Sequence, residues 1–313
     1  MRLQADSRSN LVEHTTCFCE FIAGELRADP DFMQSFLDAC VVLKLLEKDN
    51  NQYKNSQQTT QFLVPGKPDY IGDLAVHITN YWRSWGKLDQ LILEGRTELP
   101  FENEFMGESA YWNDYMYGQH NRAESGQTAN LVNHTNLTGR QKLIDLGGGM
   151  GSYSIALCRA YPELHACIVD QNEPLTLARK LLEEERNVQL RDRISLKEGD
   201  FYQLALETDY DVVLISGVVC IQSAAENLRL FSYAFQHLKP GGLIIVQDFM
   251  QIGENVQKHF LDTLMDMYLK IAFTPKAGDF AGDDIADWLV DAGFKAPKQI
   301  LLPTQLNVIT AEK

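Results

Sequence analysis

Positive charge, clustered cysteine and long apolar runs are all scarce in this chain, and each scarcity removes a class of function. Against 43 Asp and Glu stand only 28 Lys and Arg, a formal net charge of −15 over 313 residues. A protein that tracks a phosphate backbone needs clustered cations, so nucleic acid is not an expected partner. The 6 cysteines are scattered and only Cys17 and Cys19 stand close together. Cys-x-Cys without a second pair does not make a zinc site, so neither a metal nor a disulfide is expected. No segment approaches the ~18 consecutive apolar residues of a membrane span. Residues 1–8 carry an early acid and no apolar segment, which points to a cytoplasmic protein without a membrane partner. Internal repeats and low-complexity tracts are also missing.

What is present is a folded-protein composition, 45% hydrophobic, long enough for one large core or two modest ones. The most informative stretch is residues 143–151, Leu-Ile-Asp-Leu-Gly-Gly-Gly-Met-Gly. It reads as a buried strand running into a glycine turn, with a helical pattern resuming at Ser152. Such a turn sets a ligand against backbone N–H groups at a helix start. A dinucleotide fingerprint would need Gly-x-Gly-x-x-Gly, yet its last position falls on Ser152 or Ser154. The actual pattern, Asp145-x-Gly147-x-Gly149-x-Gly151, suits a nucleoside cofactor without a pyrophosphate, such as S-adenosylmethionine.

Further strands follow in order. Residues 166–170 end in Asp170, about 20 residues past the glycines, where a carboxylate can accept two ribose hydroxyls. Residues 193–198 lead to Asp200 and Phe201, an acid for an adenine amino group and a ring to pack on the base. Residues 211–216 form a fourth strand ending at Ser216, and 243–246 a fifth after the Lys239-Pro240-Gly241-Gly242 turn. Any one of these acids could be a helix N-cap or a solvated strand end; their joint order argues for a site.

Elsewhere, helices are expected over residues 9–27, 31–46, 70–93, 111–132, 173–185, 257–271 and 287–294. A hairpin turn is expected at Asp49-Asn50-Asn51, and closing strands at 300–302 and 306–311.

These motifs resemble a class I S-adenosylmethionine-dependent methyltransferase, and more narrowly the plant-type and bacterial small-molecule O-methyltransferase family. Residues 36–54 are similar to that family's winged-helix hairpin and 65–72 to the linker after it, so the resemblance spans roughly 32–313. It implies an α/β Rossmann-like, doubly wound seven-stranded sheet in residues 105–313 and a mainly helical, winged-helix-like dimerisation domain in 1–104. It also implies a homodimer and S-adenosyl-L-methionine held by Asp145, Gly147, Gly149, Gly151, Asp170, Gln171, Asp200, Phe201 and Ser216. The pocket-lining helix of the family corresponds to 257–271 and brings Met265 to the acceptor.

One family feature is missing. The imidazole that usually follows the fourth strand, in His-Asp-Trp, is replaced by Cys220-Ile221-Gln222. A phenol ionises near ~10, so an O-methyl acceptor ordinarily needs a base. Three readings follow. In the first the acceptor has a free lone pair, as in a thioether such as 4-methylthio-2-hydroxybutyrate or methionine on the route to dimethylsulfoniopropionate, or is an acidic carbon. The aromatic segment 105–117, with Tyr111 and Trp112, would favour the resulting cation, and His120 and Arg122 would bind a small carboxylate. In the second, a relocated base acts on a phenolic or polyketide hydroxyl. Tyr117 and His120, three apart on one helical face, are candidates, with His259 behind them and Asp248 to orient the acceptor or polarise His120. In the third, the chain binds the cofactor without transferring a methyl group. A DNA-binding dimer is the non-enzymatic alternative, and the acidic charge weighs against it. The first reading is the sequence's leading expectation.

Overall fold

The structure, a computed structural model, describes residues 16–253 and 260–313. It divides into two compact units, one ending at Gly72 and the other running from Asp73 to Lys313. Residues 73–104 thus go with the larger unit rather than the smaller. Their apolar side chains, Tyr81 and Leu91 among them, are buried in one cluster with Tyr111, Tyr268 and Ile271, and Glu98 N–H donates to the Ile271 carbonyl.

In the smaller unit a short strand β1 (Cys17–Phe18) leads into helices α1 (Cys19–Leu26) and α2 (Pro30–Val42). Asp29 caps α2 by accepting from Phe32 N–H at 2.9 Å, with Pro30 pre-set at the first helical position. A hairpin of β2 (Leu46–Asp49) and β3 (Gln52–Asn55) follows, and then α3 (Gln57–Leu63). Asn50 and Asn51 both take positive φ, 47° and 63°, which twists a two-residue turn to match its strands. The first part of the helix expected over 9–27 lies outside the described residues, and 17–18 are strand paired to β3.

The larger unit opens with α4 (Gly72–Thr79), α5 (Trp82–Trp85) and α6 (Leu88–Glu94). These replace the single helix expected over 70–93. The chain tightens at Asn80 and Tyr81, whose N–H groups bond three residues back, and this leaves both His77 and Tyr81 fully buried. Next comes α7 (Glu108–Arg122), joined to α8 (Thr128–His134) through a wide turn at Ala123–Gln127. Gly126 there has φ 105°, a left-handed value that breaks the helix expected over 111–132.

The core is a sheet built from β4 (Lys142–Leu146), β5 (His165–Asp170), β6 (Ile194–Glu198), β7 (Tyr210–Ser216), β8 (Leu238–Asp248), β11 (Lys295–Ile300) and β12 (Asn307–Glu312). The strand order is β11-β12-β8-β7-β4-β5-β6. The five strands from β8 to β6 are parallel, and β12 runs antiparallel between β8 and β11. Helices α9 (Ser152–Ala160), α10 (Asn172–Glu183), α11 (Ala224–His237) and α13 (Gly282–Asp291) cross between strands. β8 begins at Leu238, which pairs with Tyr210, and resumes pairing at Leu243 after a register shift across the expected turn, while the closing strands shift to 295–300 and 307–312. A short parallel pair of β9 (Met250–Gln251) and β10 (Phe280–Ala281), with α12 (Phe260–Ala272) between them, completes the unit. Residues 143–146 of β4 are at most 1% exposed. A strand covered on both faces must be a continuous buried run. The order of strands reverses between β4 and β7, so the loops leaving β4, β5 and β7 open on one crevice.

Candidate active site

That crevice holds a cavity of about 620 Å³. Its floor is the glycine turn after β4. Gly147 and Gly149 take φ 75° and 58°, and Gly149 N–H donates to Asp170 Oδ2 at 2.7 Å. At Gly148 the constraint is space: a Cβ there would stand 2.6 Å from the Asp145 carboxyl and 2.8 Å from Ile168 Cγ2. The turn is therefore a cradle that side chains would fill.

Asp145 is 1% exposed and lines this cavity. Its Oδ2 accepts from Ser154 Oγ at 2.6 Å, while Oδ1 is buried without a partner. Burial pushes the carboxyl up to about 7, with the Asp170 charge adding to the effect and Ser154 opposing it. Asp170 accepts from Gln171 N–H and Gly149 N–H, both at 2.7 Å, and burial raises its carboxyl as well. Each oxygen keeps a further lone pair for a hydroxyl donor. Gln171, Phe201 and Ser216 also face the cavity. An orphaned carboxylate oxygen, a second carboxylate at the next strand end and a Cβ-free cradle fit S-adenosylmethionine. Asp145 suits its ammonium, Asp170 its ribose, and Phe201 its adenine.

Two residues expected in this half are turned elsewhere. Asp200 does not line the cavity, because its carboxylate bonds Tyr202 N–H at 2.9 Å and Gln203 Nε2 at 2.9 Å in its own turn. Gly151 is the left-handed residue that starts α9, φ 79°, and lies behind the wall.

The other half of the cavity is walled by Trp112, Tyr115, Gln119, His120 and Arg122 of α7, with Gln222, Phe249 and Phe273. Trp112, His120 and Arg122 thus stand where the sequence places them. Tyr111 does not: it is 0% exposed and bonded through its hydroxyl to Tyr81. Half of the aromatic stripe is therefore core. Tyr117 packs on the sheet-side core and Met265 on the tyrosine cluster, and neither reaches the cavity. Asp248 is fully buried. It accepts from Val219, Cys220 and Phe249 N–H, which ties down the turn after β7, and burial raises its carboxyl to about 6. It is a clip for that turn and no partner of His120. His120 bonds instead to Ser152 Oγ through Nδ1 at 2.8 Å. Cys220 is buried, does not line the cavity, and has its thiol held well above the usual range by burial and by Asp248. His259 lies outside the described residues.

Sequence reasoning missed Gln119, Gln222, Phe249 and Phe273. Gln119 was discoverable, since it falls one helical turn from Tyr115; the two phenylalanines carry no local signal.

Residues 85–295 match the O-methyltransferase domain family, which is more than half of the chain. The chain belongs to the class I S-adenosylmethionine-dependent O-methyltransferase family. It is similar to 3-hydroxy-5-methyl-1-naphthoate 3-O-methyltransferase of Streptomyces sahachiroi, at 25% identity over 268 residues, 82% of this chain and 74% of that protein. It is also similar to the N,N-dimethyltransferase OxyT of Streptomyces rimosus, at 28% identity over 288 residues, 88% of this chain and 80% of the relative. Human N-acetylserotonin methyltransferase, solved with its methyl donor, shares the fold with a TM-score of 0.85 at 20% identity, over 98% of this chain and 90% of that one. As members of this family act, the chain is a methyltransferase that uses S-adenosylmethionine on a small molecule. The thioether acceptor expected from the sequence is not supported, because these relatives are named for transfer to oxygen and nitrogen; the hydroxyl alternative fits them better. Among the described residues no helix is long and apolar enough to cross a membrane.

The carboxyl of Asp145 sets a pH dependence. A cationic donor binds the ionised form, so binding lowers that group's raised pKa and expels a proton. Donor affinity is expected to climb as pH rises from 5.5 to 7, approaching tenfold per unit below about 7. Calorimetry with S-adenosylhomocysteine in buffers of different ionisation heat reads both quantities; proton uptake, or a flat profile in this range, would contradict the assignment.

Proposed function

We propose that this methyltransferase acts on a hydroxyl oxygen of a small aromatic acceptor. The observation that carries the reading is one cavity that joins the glycine cradle to a wall of Trp112, Tyr115, Phe249 and Phe273. Flat apolar rings suit a flat acceptor, and aromatic pairs favour offset or edge-on contact. The hydroxynaphthoate and acetylserotonin relatives support the same class. When bound, S-adenosylmethionine supplies an electrophilic methyl group; the chain must aim the acceptor oxygen at it and take away a proton.

His120 is the imidazole on the cavity wall among the described residues. Burial lowers its pKa from the usual value, countered in part by Glu124, so the ring is neutral at pH 7 and able to accept a proton. Ser152 holds Nδ1, and Nε2 makes no hydrogen bond among the described residues. His120 therefore takes the role left vacant at Cys220. The homodimer belongs to the same reading: Phe21, Phe32, Phe36 and Val42 of the smaller unit are exposed, apolar surface that a second copy would cover.

A screen of phenols, hydroxyarenecarboxylates, anilines and thioethers with labelled donor tests the class. His120→Gln should lower kcat on a phenolic acceptor by about a hundredfold with little change in KM, and flatten the acid limb of the pH profile. Cys220→Ala should leave kcat within about threefold, since it removes no general base. A hundredfold loss at Cys220, or turnover confined to thioethers, would overturn the reading.

A further inference from the structure

Arg122 closes α7 and lines the cavity, yet the residue is only 9% exposed. Nε is buried with no hydrogen-bond partner. Among the described residues no carboxylate pairs with the guanidinium, whose contact is the Phe249 ring, 5.3 Å from its central carbon. A buried charge without a counter-charge is among the costliest arrangements a fold can hold, so a partner has to come from outside the chain. The neighbouring acids do not serve. Among the described residues none of Asp145, Asp170 and Asp248 forms an ion pair with Arg122; they accept instead from Ser154, from two backbone N–H groups and from three.

We propose that Arg122 receives a carboxylate of the acceptor, so that the substrate is a hydroxylated aromatic acid. This rests on the methyl-transfer reading above and names the substrate class of that site. The planar guanidinium matches a carboxylate in a two-point geometry. Its charge acts on Tyr115 of the aromatic wall, on Tyr268, His77 and Cys220 buried behind that wall, and on Tyr153 beside the cradle. The cavity otherwise presents carboxylates, at Asp145 and Asp170 of the cradle and at Glu108, which accepts from Trp112 Nε1 at 3.3 Å. An acidic chain also disfavours anions in general, so an anionic acceptor needs one dedicated cation, and Arg122 is placed to be it. The donor also carries a carboxylate, and the test has to separate the two sources.

The experiment uses the whole chain saturated with S-adenosylhomocysteine. Binding of hydroxybenzoates and hydroxynaphthoates, each beside its carboxamide, is measured by calorimetry and intrinsic tryptophan fluorescence. The wild type should prefer each acid over its amide by at least tenfold. Arg122→Met, which exchanges a buried charge for an apolar chain of similar length, should erase that preference while S-adenosylhomocysteine affinity stays within threefold. Arg122→Lys should keep part of it, and a thermal melt of each variant confirms folding. An equal loss of donor affinity would assign Arg122 to the donor and overturn the proposal, as would acids binding no better than amides. If acids bind through Arg122 but none is methylated, the carboxylate-binding role of Arg122 stands, while the substrate class and the proposed reaction fail.

Discussion

Asp170→Ala is expected to lower affinity for S-adenosylhomocysteine by at least a hundredfold. At the end of β5 a half-buried carboxylate faces the cavity, with both oxygens already accepting one backbone N–H each. Two ribose hydroxyls would add two hydrogen bonds to a charged acceptor, each worth about 1.5–3 kcal/mol. Losing both costs about 3 kcal/mol or more, and each 1.4 kcal/mol is a factor of ten. The substitution also frees Gly149 N–H, the tether that joins the cradle to β5. Asp170→Asn keeps one acceptor oxygen and should lose only about tenfold. Calorimetry on the three proteins decides it: unchanged affinity in the alanine variant would remove the ribose assignment.

Gly148→Ala should be nearly as severe, for steric reasons alone. The added Cβ would sit 2.6 Å from the Asp145 carboxyl and 2.8 Å from Ile168 Cγ2. Neither neighbour yields easily, since Asp145 is held by Ser154 and Ile168 is fully buried in the sheet. The loop itself has to move, and overpacking of this kind costs about 1–3 kcal/mol of stability. Because the same loop lines the cavity into which the donor fits, its affinity is expected to fall by roughly a hundredfold as well. Gly107→Ala is the control. A Cβ there meets nothing within 4 Å, so melting temperature and donor affinity should both stay near wild type. Equal behaviour of the two variants would mean that the cradle is not tightly packed.

The glycine-turn half of the cavity was legible from the chain because its determinants are local. Four consecutive residues before the glycines could only be a doubly covered strand, and they are at most 1% exposed. Positive-φ glycines at alternate positions, with an acid one strand further on, follow from backbone geometry within a few residues. Asp200 shows the limit even there: its carboxylate is spent on N–H groups of its own turn, a choice that composition does not reveal.

The acceptor half was only partly legible. Tyr111 and Tyr115 are one helical turn apart and equivalent in sequence, and their rings lie 6.3 Å apart. One faces Tyr81 and is sealed in the core, while the other lines the cavity. Asp248, at the end of a central strand, looks like a catalytic acid and is in fact a clip for the turn at 219–220. Nor was it visible that segment 73–104 joins the larger unit, since its buried His77 bonds Tyr268 across 191 residues of chain.

The amino-acid order alone thus determined the strand–turn–helix units and a glycine turn whose spacing does not match a dinucleotide fingerprint. Periodicity and φ preferences act over short stretches and survive in any context. Tertiary packing decided which side chains of α7 front the cavity, which are buried behind it, and that Arg122 meets no carboxylate among the described residues. Those outcomes depend on residues from α4, α12 and the end of β8 closing around one helix, and contacts between such distant segments leave no periodic trace in the chain.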